Sequence, residues 1–189
     1  SGVRSWVDSS QLYQPSREIF LFEDWVSGST DGSLNWAEVK AGSGSGNSFS
    51  EADVATNRPG VILLSTGTNA TGRDVIHLGT DQTALGGGDL VVEISLKIPI
   101  LSDGAQTFSV RAGLGDQVGA TDHIDGVYFE HNNTTPNWVA KTASNNTASS
   151  SITSVPVAAN TWYKLMIKVN AVATSAEFSI DGISVALLT

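Results

Sequence analysis

The side chains with the greatest chemical capacity lie close together between residues 122 and 131. Asp122-His123-Ile124-Asp125 is followed on the next predicted strand by Glu130 and His131. Three carboxylates and two imidazoles are able to ligate a hard cation such as Ca²⁺ or to share a proton in acid–base catalysis. However, Asp122 and Asp125 lie at predicted strand ends, where such side chains commonly cap turns. Turn capping is therefore the favoured interpretation: Asp122 and Asp125 are only secondary metal candidates, and no cofactor is predicted.

Motifs of the common catalytic machineries do not occur in this sequence. It contains no Gly-x-Ser-x-Gly elbow, no His-Glu-x-x-His, no Walker loop and no Rossmann fingerprint, and it has no cysteine for thiol chemistry. Glycoside hydrolysis would need two carboxylates that face each other across a cleft, and Glu93 and Glu130 do not form a pair on one strand. The sequence therefore predicts that the protein is not an enzyme, with a divergent polysaccharide hydrolase or lyase as the minor alternative.

Aromatic residues offer a different chemistry, the stacking of a ring against the apolar face of a sugar. Tyr128 and Glu130 alternate with Val127 and Phe129, so if the latter pair faces the core, the former pair faces outward over an exposed sheet. Trp138 begins a predicted strand beside polar loops, and packing in the core is the alternative for its ring. The predicted carbohydrate site consists of Arg111, Tyr128, Glu130, His131 and Trp138.

The elements that must position these side chains have the pattern of β-strands. Apolar and polar residues alternate through residues 89–98, 107–114 and 163–170, and Asp181-Gly182 is the signal of a two-residue hairpin. About ten to twelve such segments without a convincing helix predict an all-β fold of two antiparallel sheets, whereas residues 144–151 are expected to form a polar loop or edge. The apolar face of these segments predicts the core: Leu90, Val92, Ile94, Leu96, Phe108, Val110, Val127, Phe129, Leu165, Ile167, Val169, Phe178 and Ile180.

Composition limits the partners of this chain. Its 19 acidic and 10 basic residues give a net charge of −9, which repels phosphate backbones and disfavours binding to nucleic acid. Apolar runs such as residues 61–64 are far shorter than the ~20 residues of a membrane helix, so membrane insertion is not expected. At about 150 residues per domain, a length of 189 residues predicts one domain with an additional short segment. The predicted domain spans residues 18–189, and residues 1–17 are predicted to form an arm or linker.

Several short motifs suggest a family through the order in which they occur. They are, along the chain, Arg58-Pro59-Gly60-Val61, Ser65-Thr66-Gly67, Gly72-Arg73, Gly113-Leu114-Gly115-Asp116, Asp125-Gly126-Val127-Tyr128-Phe129-Glu130, Asn137-Trp138 and Asn160-Thr161-Trp162-Tyr163-Lys164-Leu165. This series resembles the concanavalin A-like lectin/glucanase jelly-roll domains found in bacteriophage virion and tail proteins. The resemblance covers roughly residues 18–189. It implies a two-sheet jelly-roll sandwich whose curved sheet often binds carbohydrate, on a protein displayed on a virion.

The departures from that family bear on function. The Glu-x-Asp-x-x-Glu strand of the related glucanases and the paired motifs of the alginate-lyase relatives do not occur here, so no catalytic residue is carried over. What the resemblance implies is a non-enzymatic virion-associated structural protein that acts in assembly or host adsorption, with weak binding of surface glycans. An extracellular carbohydrate-binding module is the alternative.

The two ends of the chain suggest contacts with other chains. Residues 1–17 hold Trp6, Leu12 and Tyr13 in a segment too irregular to build its own core. Domains that the chain resembles usually continue beyond the hairpin at Asp181-Gly182, so the jelly roll is expected to lack its last strands or to be completed by another segment. Burial of these apolar groups and of the strand edge predicts other virion proteins, or copies of the same chain, as partners.

Overall fold

The computed structural model describes residues 36–42, 44–49, 60–68, 70–78, 84–119 and 121–189. All regular elements within these ranges are β-strands, twelve in number, and each pairing between them is antiparallel. The prediction of an all-β fold with antiparallel sheets is confirmed. The predicted arm at residues 1–17 lies outside the described residues. No described segment forms a helix long and apolar enough to cross a membrane.

The chain divides into two compact units, residues 1–79 and residues 80–189. The described part of the first unit contains two small sheets of two strands each. One pairs β1 (Ala37–Ala41) with β4 (Arg73–His77), and the other pairs β2 (Gly46–Phe49) with β3 (Ile62–Ser65). The amide of Ser65 donates a hydrogen bond of 3.2 Å to the carboxylate of Asp74, which ties the end of β3 to β4.

The second unit contains eight strands in two four-stranded antiparallel sheets. The sheet that we call the C-terminal sheet has the strand order β12-β11-β10-β5. Its strands are β5 (Leu90–Lys97), β10 (Trp162–Val169), β11 (Ala176–Ile180) and β12 (Ile183–Leu188). The meander sheet follows chain order, with β6 (Val110–Gly115), β7 (Gly126–Asn132), β8 (Thr135–Ser144) and β9 (Thr147–Pro156).

Side chains from both four-stranded sheets meet in one hydrophobic core. The ring of Phe129 on β7 packs edge-on against Phe178 on β11, with 5.1 Å between the centroids. Every residue predicted to face inward belongs to this core or packs against it, so the predicted facing of the strands is confirmed. We call the side of each sheet that faces this core its inner face and the opposite side its outer face.

Residues in the left-handed conformation make two of the strand connections. Asp181 (φ 51°) and Gly182 (φ 83°) form the predicted two-residue hairpin between β11 and β12. Asn145 (φ 48°) and Asn146 (φ 63°) form the equivalent turn between β8 and β9. Of the two expectations for residues 144–151, a polar loop or an edge, the edge is confirmed, because β9 is an outermost strand of the meander sheet. Residues 147–151 are mostly small and polar, so β9 shows little apolar alternation there.

Candidate functional site

Three of the five predicted site residues, Arg111, Tyr128 and Glu130, share the outer face of the meander sheet. Arg111 on β6 lies opposite Glu130 on β7, and Tyr128 lies opposite Lys141 on β8. The alternation of the sequence predicts this common face. The expectation that the face is exposed was wrong, because Tyr128 is 1% exposed and Glu130 is 2% exposed.

Four charged groups on this face form a closed network, which we call the ionic cluster. Arg111 contacts Glu130 at 2.8 Å through Nε and Asp122 at 2.9 Å through Nη2. Lys141 Nζ lies 2.9 Å from Glu130 Oε1 and 3.0 Å from Asp122 Oδ2. Each cation therefore contacts both carboxylates. This pairing is what allows Glu130 to be buried, since a buried charge without a partner is strongly destabilising.

The connection between β6 and β7 covers the ionic cluster and Tyr128. The hydroxyl of Tyr128 donates to Asp122 Oδ1 at 3.2 Å, and the ring of His123 packs edge-on against Tyr128 with 4.6 Å between centroids. A Cβ atom at Gly115 would overlap the His123 ring, so glycine at this position permits the close approach. The expected platform for a sugar is thus occupied by the protein's own connecting segment.

Hydrogen bonds between backbone amides and side-chain carboxylates fix the conformation of this covering segment. Asp116 Oδ1 accepts hydrogen bonds from the amides of Ile124 (3.0 Å) and Asp125 (3.2 Å). The carboxylate of Asp125 accepts from the amide of Asn145 at 2.8 Å, so Asp125 binds a turn amide, as its turn-capping interpretation predicts. That interpretation was wrong for Asp122, whose partners are side chains. Among the described residues, no group of three or more His, Asp or Glu side chains is arranged to hold a metal ion.

His123 is held as a neutral ring in this segment. Its Nδ1 accepts a hydrogen bond of 3.0 Å from the amide of Gln117, which places the imidazole proton on Nε2. Burial lowers the pKa of His123 below its ordinary value of 6.5, and the positive charge of Arg111 lowers it further. The ring therefore packs against Tyr128 as a largely uncharged group at neutral pH.

The ionic cluster favours the charged forms of Asp122 and Lys141. Burial alone would raise the pKa of Asp122, but the hydrogen bond and charge of Lys141 and the charge of Arg111 lower it below 3.8. Burial alone would lower the pKa of Lys141, but its hydrogen bonds to Glu130 and Asp122 raise it above 10.5. A general acid at neutral pH needs a carboxyl whose pKa is raised, so Asp122 is poorly suited to that role.

The other two predicted site residues, His131 and Trp138, lie on the inner face of the meander sheet. Trp138 is 0% exposed, and its ring packs edge-on against Phe129 (6.3 Å) and Tyr163 (5.7 Å). The expectation of an outward Trp138 that stacks on a sugar was therefore wrong, because β8 directs this side chain into the core. His131 is also buried, and its ring lies 6.1 Å from that of Trp138.

Three ring nitrogens of this inner pair are buried without a hydrogen-bond partner in the protein. They are Nδ1 and Nε2 of His131 and Nε1 of Trp138. Burial lowers the pKa of His131 below 6.5, so at neutral pH its ring offers one donor and one acceptor. A buried polar group without a hydrogen bond costs about 1–3 kcal/mol, so this pair has unused hydrogen-bonding capacity at a cost to stability.

His131 also lines a pocket at the end of the unit where β7 turns into β8. The pocket has a volume of about 290 Å³, which is just below the ~300–1,000 Å³ typical of ligand pockets. Its apolar wall consists of Leu101, Pro136 and Val157. Its polar wall consists, besides His131, of Ser102, Asn132, Asn133, Thr134 and Thr135. None of these lining side chains is a carboxylate, a lysine or an arginine.

Asn132 connects this pocket wall to the ionic cluster. Its Oδ1 accepts hydrogen bonds from the amide (2.9 Å) and the hydroxyl (2.6 Å) of Thr134, which closes the turn between β7 and β8. Its Nδ2 donates to Glu130 Oε1 at 2.7 Å. On the other side of the pocket, the amide of Val157 donates to the carbonyl of Pro136 at 2.8 Å. The side chains of Asn132 and Thr134 are thus used internally, whereas the His131 ring nitrogens are not.

Sequence reasoning named His131 but did not find its pocket. The wall comes from the β7–β8 turn and from two further connections, at residues 101–102 and 157, which no local pattern links. Sequence reasoning also did not place Lys141 with Arg111, Tyr128 and Glu130 on the outer face. The available signal was the hairpin of β7 and β8, whose register places Lys141 beside Tyr128.

Comparison with known families places most of the chain in a defined group. The family described as SO2946-like, C-terminal domain, matches residues 57–189, and the chain belongs to this family. The matched range includes the ionic cluster and the His131 pocket. No curated protein and no solved structure gave a significant match.

Proposed function

We propose that this SO2946-like domain is a non-enzymatic binding module with a lectin-like jelly roll, and that it acts in glycan adsorption as part of a virion. Two four-stranded antiparallel sheets that share one core support the jelly-roll assignment. The order of the motifs between residues 58 and 165 supports the relation to virion domains. The observation that carries the binding function is the His131 ring, which is buried, unpaired and at the wall of a pocket.

The positions of the carboxylates support binding rather than catalysis. Glu130 lies on the outer face of the meander sheet, where it contacts Arg111 and Lys141. Glu93 lies on the outer face of the C-terminal sheet, where it forms a 2.9 Å ion pair with Lys164. Because the two outer faces point away from the shared core in opposite directions, Glu93 and Glu130 do not face each other across a cleft. Glycoside hydrolysis requires such a facing pair.

A glycan array probed with the full chain tests the binding function. We expect retention on at least one surface polysaccharide and no turnover of the retained glycan. The matched control is Lys164→Ala, which changes an exposed charge on the other sheet and should leave retention unchanged. A silent array, or release of shortened glycan, would contradict the proposal.

The virion location needs a separate measurement. We expect an antibody against this domain to label purified particles from a culture that produces the protein. Glycan retention together with unlabelled particles would replace the virion location by the extracellular module.

A further inference from the structure

We propose that the pocket at the β7–β8 turn is the subsite for one neutral sugar unit and that the His131 imidazole is its central hydrogen-bonding group. The inference rests on the proposed glycan-binding function and adds to it the ligand class and the residue. It stands on two independent observations, the pocket of about 290 Å³ and the two buried nitrogens of His131 that have no partner in the protein.

The chemistry of a neutral imidazole matches that of sugar hydroxyl groups. One ring nitrogen donates a hydrogen bond and the other accepts one, while each hydroxyl group is both a donor and an acceptor. A hydroxyl group that reaches either nitrogen therefore satisfies it without a change of charge. Hydrogen bonds made in a buried site are stronger than those made in water, so a single such contact contributes to specificity.

The composition of the pocket wall selects a neutral ligand with an apolar face. Leu101, Pro136 and Val157 offer an apolar surface for the C–H groups of a sugar ring, beside the polar groups of the turn. A carboxylate or phosphate ligand would need a cation. The nearest candidates by strand, Arg111 and Lys141, lie on the opposite face of the meander sheet and are paired with Glu130 and Asp122.

Several other polar groups of the pocket already have hydrogen-bond partners within the protein. Asn132 and Thr134 bond to each other, and the hydroxyl of Ser102 accepts a hydrogen bond from the amide of Phe108 at 2.9 Å. Trp138 is a positioning residue, because its ring packs edge-on against His131 without lining the pocket. Among the residues that line the pocket, the imidazole is the one with buried nitrogens that have no hydrogen-bond partner.

Side-chain NMR of the full chain, labelled with ¹⁵N at histidine, tests this assignment without a mutation. The chain has three histidines, so the signals of His131 are separable from those of His77 and His123. The probes are glucose, galactose, mannose, rhamnose and N-acetylglucosamine, with glucuronate as the charged comparison. We expect at least one neutral sugar to shift the His131 ring nitrogens, with the His123 signals unchanged and no response of His131 to glucuronate.

A variant adds a second readout. His131→Leu removes both nitrogens at similar volume and should weaken the binding of the responding sugar by about tenfold or more, whereas Lys164→Ala should not change it. Because the NMR titration uses the unaltered protein, a misfolded His131→Leu variant leaves the test intact.

The outcomes separate this inference from the proposed function. A positive glycan array with no His131 response to any neutral sugar overturns the inference and leaves the function standing. A silent array with no His131 response overturns both. A response to glucuronate alone overturns the neutral ligand class.

Discussion

The two faces of the meander sheet hold polar groups under opposite conditions. On the outer face, Arg111, Lys141, Glu130 and Asp122 contact one another at 2.8–3.0 Å, and each charge has two partners of opposite sign. On the inner face, His131 and Trp138 bury three ring nitrogens that have no partner in the protein. Glu130 on the outer face and His131 on the inner face are each 2% exposed, so burial alone does not distinguish the two faces.

The difference separates polar groups that are used within the fold from polar groups that are not. Arg111, Tyr128 and Glu130 have the side-chain types that suit a sugar site, but their hydrogen bonds and charges hold the β6–β7 connection on the sheet. His131 makes no such internal contact, and it lines a pocket. The proposed site therefore follows from the hydrogen-bonding capacity that His131 retains after folding, and not from its chemical type.

The largest expected effect concerns the inner position of Trp138. Trp138→Ala should lower the free energy of unfolding by ~3–5 kcal/mol, because it removes a large ring from the core; Phe129→Ala should cost a similar amount. Ile152→Ala is the control, since Ile152 lies on the outer face of neighbouring β9 and is mostly exposed. Urea unfolding measures both variants. A loss below about 1 kcal/mol for Trp138→Ala would place its ring outside the core.

The next effect concerns the ionic cluster. Glu130→Gln keeps the shape but removes one of two carboxylates, so Arg111 and Lys141 lose half of their countercharge. We expect a loss of about 2–3 kcal/mol in unfolding free energy, with faster hydrogen exchange in residues 121–125. If both the stability and the hydrogen exchange of residues 121–125 are unchanged, the ionic cluster does not hold the β6–β7 connection on the sheet.

The pH dependence of stability should reflect the two buried histidines. Burial lowers the folded-state pKa of His123 and His131 below 6.5, so the unfolded chain takes up protons first as the pH falls. Their stability contribution is present above about pH 6.5 and is lost as the pH falls toward their folded pKa values. Urea unfolding between pH 8 and pH 5 measures this loss, and His131→Leu should reduce it. An unfolding free energy that does not change between pH 8 and pH 5 in the unaltered protein would contradict the burial of the two histidines as neutral rings.

Protonation of Asp122 should cause a separate loss of stability at lower pH. Its folded-state pKa is below 3.8, so its contribution is present above pH 3.8 and is lost as the pH falls through the folded value. Asp122→Asn should remove this contribution; it should retain the component near pH 6.5 and enlarge it, because the Asp122 charge raises the pKa of His123. Equal loss of both components in this variant would mean that the two regions do not titrate separately.

The smallest effect is expected for the exposed ion pair of Glu93 and Lys164. Both side chains are about half exposed, and exposed pairs contribute about 0–1 kcal/mol. Lys164→Ala should therefore change the unfolding free energy by less than about 0.5 kcal/mol at moderate salt. A loss as large as that of Glu130→Gln would remove the distinction between a buried network and an exposed pair.

The sequence predicted the features that depend on the local alternation of apolar and polar residues. Alternation along residues 126–132 correctly separated Val127 and Phe129 on the inner face from Tyr128 and Glu130 on the outer face. It did not predict that the outer face is covered, because the cover depends on pairing between Asp122 and Arg111 or Lys141, which are 11 and 19 residues away. It also could not place His131 in a pocket, since Val157 and Leu101 arrive from distant connections.

The most direct test of this account is the affinity of the glycan selected by the array, measured by calorimetry at pH 7.5 for the unaltered chain, His131→Leu and Glu130→Gln. The account predicts that His131→Leu weakens binding by about tenfold or more, while Glu130→Gln stays within about twofold despite its lower stability. The opposite pattern, with affinity lost in Glu130→Gln and retained in His131→Leu, would place the site on the outer face and contradict the account.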